Sequence, residues 1–159
     1  MLTLVLAGCS GEPVPVPDTC NGSVELCDRR FDEVSYPTTH NAMSTEDEGW
    51  VNPNQYVGIE RQLDDGIRGL MLDVHPGDDG TVWLCHGTCL LGSRPAVDGF
   101  RAIGEFLGRN RGEVVTIIFE SYVTADEVAA AFADSGLADL VHAQAPGVDS
   151  GEKQRQSGF

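Results

Sequence analysis

Apolar and polar positions recur with two different periods along this chain, and each change of period marks an element. "IRGLMLDV" (67–74) is nearly unbroken in apolar character and reads as a buried strand; "PGDDG" supplies a turn and "TVWLCHG" its returning partner. Upstream, "VSYPTTH" is a short β-rich run that opens into a polar loop. "NPNQYVGIERQLDDG" switches to helical spacing, with Tyr56, Ile59 and Leu63 on one face and Gly66 placed to end the helix. "PAVDGFRAIGEFLGRN" puts Val97, Phe100, Ile103 and Leu107 on one face behind Pro95. "EVVTIIFES" is the continuous apolar run expected of a parallel strand covered on both faces. "TADEVAAAFADSG" opens with Thr124 and Glu127 at capping-box spacing and closes at Gly136.

Strands alternating with helices predict an α/β architecture with a mainly parallel sheet. In such sheets ligands gather at the C-terminal strand ends. His40 follows the first strand, Asp73 ends the second, His86 the third and Glu120 the fourth, so four titratable groups are expected on one rim. His75 and His142 lack that context and read as surface or loop residues.

Charge and composition narrow the function. A formal charge of −15 over 159 residues excludes a basic surface for nucleic-acid phosphates. No apolar run is long enough to cross a membrane as a helix. The first residues, "MLTLVLAGCSG", are apolar up to Leu6-Ala7-Gly8-Cys9 and resemble a bacterial lipobox, in which Cys9 would carry lipid; from the short apolar part without a charged start, a true beginning upstream of Met1 is expected. A Pro-rich tether to about Asp18 follows. Setting Cys9 aside leaves four cysteines, an even number that suggests disulfides in an exported chain, with proximity favouring Cys20–Cys27 and Cys85–Cys89. The rival, a four-cysteine zinc site, lacks any C-x-x-C pair.

Two histidines on one rim suit proton transfer in and out of a displacement at phosphorus, one as base and one as acid. Asn41, Asp73 and Glu120 are hard oxygen ligands suited to Ca²⁺, and a cation there would neutralise charge developing on a phosphate. Zinc or manganese bound by the histidines themselves is the alternative.

"TTHNAMS", "QLDDGIRGLMLDVHPGDDGTVWLCHG" and "EVVTIIFESYV", spanning Tyr36 to Val123, together resemble the X domain of phosphatidylinositol-specific phospholipase C, with "GxRGLMLD" and "LCH" in the style of its extracellular branch. The resemblance implies a (β/α) TIM-type barrel. It implies His40 as the base that takes a proton from the inositol 2-hydroxyl and His86 as the acid that protonates the departing diacylglycerol. Asn41, Asp73 and Glu120 match the positions of calcium ligands, whereas Met71 stands where calcium-dependent members place a further carboxylate. Metal-free bacterial members carry Asp after the first histidine and Arg in place of Asp73.

The expected organisation is a signal-peptide remnant over 1–8, a lipidated tether over 9–19, a partial X-like domain over 20–147 and a polar tail over 148–159, "VDSGEKQRQSGF" being its core-less continuation. A barrel of this kind takes about 250 residues, so about the first half is expected, with little turnover by these residues alone. The expected substrate is a phospholipid, with a membrane reached through the lipid anchor. Two rivals differ in class: a glycerophosphodiester or sphingomyelin-type phosphodiesterase, whose His-Arg-Gly and Glu-Asn-Thr motifs "THNAMS" does not match, and a non-catalytic surface lipoprotein.

Overall fold

The computed structural model describes residues 19–143. Cys9, where lipid is expected, most of the expected tether and the polar tail lie outside the described residues.

The framework is a five-stranded mixed sheet built around β2 (Gly69–Pro76). β5 (Thr116–Ser121) runs parallel along one edge of β2, from Gly69↔Thr116 to Val74↔Ser121. The other edge is shared. β1 (Thr38–Thr39) pairs in parallel with Gly69 and Leu70, and β3 (Val82–Leu84) pairs antiparallel with Val74 to Pro76. β4 (Arg94–Pro95) extends the sheet beyond β3. Gly69 permits the close approach of β1, since a Cβ there would lie 2.1 Å from Thr38 Oγ1.

Strand alternation sends Leu70, Leu72 and Val74 to one face, where all three are fully buried. They join Ile59 and Leu63 of α1 (Ile59–Asp64), Leu84, and Phe100, Ile103 and Phe106 of α2 (Ala96–Arg109) in one cluster. Phe119 packs edge-on and Phe132 at a tilt against Phe100, bringing α3 (Ala125–Ser135) onto the same layer. The α3 capping box forms as its spacing predicts: Thr124 Oγ1 accepts from the Glu127 N–H at 3.3 Å and the Glu127 carboxylate accepts from the Thr124 N–H at 2.8 Å.

The far end of the sheet is closed by a nearly buried ion pair. Arg68 Nε lies 2.5 Å from Glu113 Oε2, with both side chains 11% exposed. The same guanidinium donates to the carbonyls of Leu63 and Ile67 and lies 4.8 Å over the Phe106 ring.

Several expectations change. The helix begins at Ile59, so Tyr56 precedes it and is 82% exposed instead of lying on its apolar face. β5 is covered on one face: Ile117 and Phe119 pack on the core, while Ile118 stays 45% exposed. The strand ends are not equivalent either. β2 continues past Asp73 to Pro76, and β3 runs antiparallel to it.

Candidate active site

β1 leaves the sheet after Thr39, and the turn that follows depends on Asn41, which adopts a left-handed conformation at φ 49°. Asparagine tolerates this region better than most residues because its short polar side chain bonds locally. The Ala42 N–H donates to the Met71 carbonyl at 2.9 Å, laying the turn beside β2. Buried Gln62 of α1 anchors it from below: its amide donates to the Ala42 and Val57 carbonyls at 2.8 and 2.7 Å, and it accepts from Thr39 Oγ1 at 2.7 Å. Gln55 donates to the His40 carbonyl at 2.7 Å, and His40 itself is exposed. Asn41, in contrast, is 1% exposed.

His86 arrives by a different route. Because β3 returns antiparallel, its end comes back alongside Asp73, and the Cys85 N–H donates to the Asp73 carbonyl at 3.3 Å. His86, two residues beyond the strand, places Nδ1 2.7 Å from Asn41 Nδ2 and 3.3 Å from Asp73 Oδ2. Gly87 then takes φ 67°, a value glycine adopts without strain. A Cys85–Cys89 disulfide closes the loop, and a Cys20–Cys27 disulfide closes another near the start of the described chain.

The two contacts at Nδ1 make opposite demands. The amide N–H needs an acceptor, which Nδ1 provides when a neutral ring carries its proton on Nε2. The carboxylate needs a donor, which Nδ1 provides whenever it carries a proton, as it does in the doubly protonated ring. His86 therefore has a partner for each state of a proton-cycling residue. Its side chain is 46% exposed, so Nε2 is the nitrogen left for a reacting group.

Glu120 lies beside Asp73 in the β2–β5 ladder, and register partners in a parallel pair share a face. Its Oε1 accepts from the Tyr122 hydroxyl, and that bond to a carboxylate holds the phenol above its ordinary pKa. His75 is not a loop residue: it sits within β2, stacked 4.3 Å from Tyr122, with its buried Nε2 unpaired among the described residues. His142 lies beyond the last helical turn and is exposed. Gln62, Asn54, which accepts from Asn41 at 3.4 Å, and Tyr122 are parts of the site that sequence reasoning missed. Only Tyr122 left a signal, two residues after Glu120 and so on its side of the strand.

Asn41, Asp73 and Glu120 contribute one amide and two carboxylates, a donor set for a hard cation. Ca²⁺ takes 6–8 oxygens, so water or a substrate phosphate must complete its shell. Met71 shares the Asp73 face and adds only a soft thioether. Among the described residues no group of three or more His, Cys, Asp or Glu side chains is placed to hold a metal. A groove of about 340 Å³, lined by Ile103, Leu107, Ile117, Phe132, Leu137 and His142, lies between α2, α3 and β5 on the helical side, and neither His40 nor His86 lines it.

Comparison with known proteins agrees with this architecture. A PI-PLC X domain-containing protein 1 of Arthroderma benhamiae is 36% identical over 104 residues, covering 62% of this chain and 32% of that protein. An uncharacterized secreted protein of the same fungus is 30% identical over 137 residues, covering 84% of this chain and 30% of its own length. The chain thus spans about a third of these curated relatives. The crystal structure of PLC21 from L. pealei superposes with a TM-score of 0.56 at 22% identity, over 70% of this chain and 14% of that one, a likeness of fold. The family model described as PI-PLC X 1 matches residues 26–152, and the chain belongs to that family.

Proposed function

We propose that this chain carries the catalytic half of a phosphodiesterase of the phosphatidylinositol-specific phospholipase C type, and that its sheet is the first part of a (β/α) barrel. The observation that carries the reading is His86, with Nδ1 between Asn41 and Asp73 and a half-exposed side chain that makes no other hydrogen bond among the described residues. In the proposed reaction the inositol 2-hydroxyl gives its proton to the exposed His40 ring and forms a bond to phosphorus. The bond from phosphorus to the glycerol oxygen breaks, and His86 supplies the proton that oxygen takes up. The products are a cyclic phosphodiester and diacylglycerol. A cation held by Asn41, Asp73 and Glu120 would supply charge neutralisation at the phosphate, which matters in a protein of net charge −15.

A lipid substrate fits the surroundings. Leu90 and Leu91 follow His86 closely, 93% and 38% exposed, and the Leu91 carbonyl accepts from the N–H of Val51, itself 53% exposed. Apolar side chains beside the site offer contact with a lipid surface that an acidic protein does not attract by charge. Export, with Cys9 as a lipid anchor, is proposed from the lipobox pattern, the two disulfides and the secreted relative.

The test is direct. The natural full-length protein carrying these residues is incubated with vesicles of phosphatidylinositol or phosphatidylcholine, and phosphorus NMR follows the products. A cyclic phosphodiester from phosphatidylinositol is expected. Absence of any phosphodiester cleavage, or cleavage that survives the double variant His40→Ala/His86→Ala, would overturn the reading.

A further inference from the structure

His86 sits inside a five-residue loop, Cys85 to Cys89, closed by a disulfide. Both ends of that loop are anchored. Cys85 is fully buried and bonded through its N–H to the Asp73 carbonyl. Cys89 packs on the core cluster and begins a 3-10 turn (Cys89–Leu91) capped by Thr88, and that turn is tied through Leu91 to Val51. Between the ends, His86, Gly87 and Thr88 are all exposed, so no buried side chain fixes their backbone. Within the loop their one backbone bond runs from the Thr88 N–H to the His86 carbonyl at 2.7 Å.

We propose that the Cys85–Cys89 disulfide is a positioning element for His86, holding the ring where Asn41 and Asp73 reach Nδ1. The proposal rests on the reading of His86 as the acid. A small loop gains little stability from cross-linking, because closing it removes little freedom from the unfolded chain. What the bond restricts is the native loop. It limits the excursions of a three-residue span whose glycine centre would otherwise let the imidazole swing away from its partners. Cys20–Cys27 provides the internal contrast. It lies by the Arg68–Glu113 end of the sheet, where the Asn21 N–H donates to the Gly112 carbonyl and the Gly22 N–H to Glu113.

The test compares the natural full-length protein with Cys89→Ala, which leaves the buried Cys85 thiol in place as a small apolar group, and with Cys20→Ala/Cys27→Ala. Backbone amide relaxation reports on residues 86–88 independently of activity. The order parameters there should fall from the rigid value of about 0.85 to below about 0.6 in Cys89→Ala, and stay unchanged in the other variant. With phosphatidylinositol, kcat should drop about 10–100-fold in Cys89→Ala while KM changes little, the scale on which supporting groups act. A substrate whose leaving group has a low pKa should lose much less, because it needs little help from an acid. Unchanged order parameters at 86–88, or equal loosening in both variants, would overturn the proposal. If the wild-type protein cleaves no lipid, the functional reading fails and the relaxation data still decide whether the disulfide holds the loop that carries His86.

Discussion

Asn41 Nδ2 lies 2.7 Å from His86 Nδ1, although the two residues are 45 apart in the chain and reach each other from opposite directions. Asn41 is delivered by the exit of a parallel strand and His86 by the return of an antiparallel one. Replacing Asn41 should therefore act on the histidine and on the turn at once. Asn41→Gly and Asn41→Ala both remove the amide, and each should destabilise by about 1–3 kcal/mol for the lost buried hydrogen bonds. Alanine should cost about 1–2 kcal/mol more, because φ 49° strains a residue with a plain Cβ. Urea unfolding of the two variants separates these effects.

The division of roles between the histidines can be read from leaving-group chemistry. In the full-length protein, His40→Ala and His86→Ala should each lower turnover by about 10²–10⁴-fold. The double variant should lose less than the product of the two, since they act as a unit. A leaving group of low pKa should restore His86→Ala and leave His40→Ala impaired. Equal rescue of both variants would reverse the assignment of acid and base.

Leu90 and Val51 should matter for lipid surfaces and not for folding. Leu90→Ser should leave unfolding within about 0.5 kcal/mol of wild type, since the side chain is 93% exposed. Burying a leucine is worth about 1.5–3 kcal/mol, so vesicle binding should weaken about tenfold or more. Hydrolysis of a monomeric short-chain substrate should change little. Sedimentation with vesicles, run beside that assay, checks both halves.

The Arg68–Glu113 pair brackets the end of the sheet remote from His86. Breaking it by Arg68→Met or Glu113→Leu alone should cost about 3–5 kcal/mol, because the surviving charge stays nearly buried without its partner. The double variant should recover much of that loss. Recovery should be incomplete, because Arg68 also satisfies the carbonyls of Leu63 and Ile67.

Tyr122 competes for the carboxylate that a cation would use. Its hydroxyl donates to Glu120, so Tyr122→Phe should free Oε1 and strengthen Ca²⁺ binding, whereas Glu120→Gln should weaken it. Calorimetric titration with Ca²⁺ alone measures both. Weaker binding in Tyr122→Phe would mean that the phenol supports the ligand set.

Features written in neighbouring residues were legible before any coordinates. The capping box of Thr124 and Glu127, the hairpin around 77–81 and the apolar stripe of α2 all depend on contacts within a few positions. The resemblance singled out His86, Asp73 and Asn41, but not how they meet. That depends on a two-residue strand, a left-handed asparagine and a buried glutamine on another element, none of which has a periodic signature. Tyr56 misled because helical spacing continues upstream of the residue where the backbone turns helical. His75 misled because the strand outlasts its apolar run, and the neighbour that stacks on it, Tyr122, comes from the residue just past β5.

The hairpin that returns His86 to Asp73 also separates two kinds of variation. Its ladder, Val74↔Leu84 to Pro76↔Val82, fixes where the second arm ends, whereas the exposed tip at 78–80 lies at the opposite extreme of the ladder from the histidine. Additional residues at the tip would lengthen a surface excursion without changing the pairing below it. This hairpin should accept an epitope or a fluorophore-bearing peptide at its apex while the histidine stays in register.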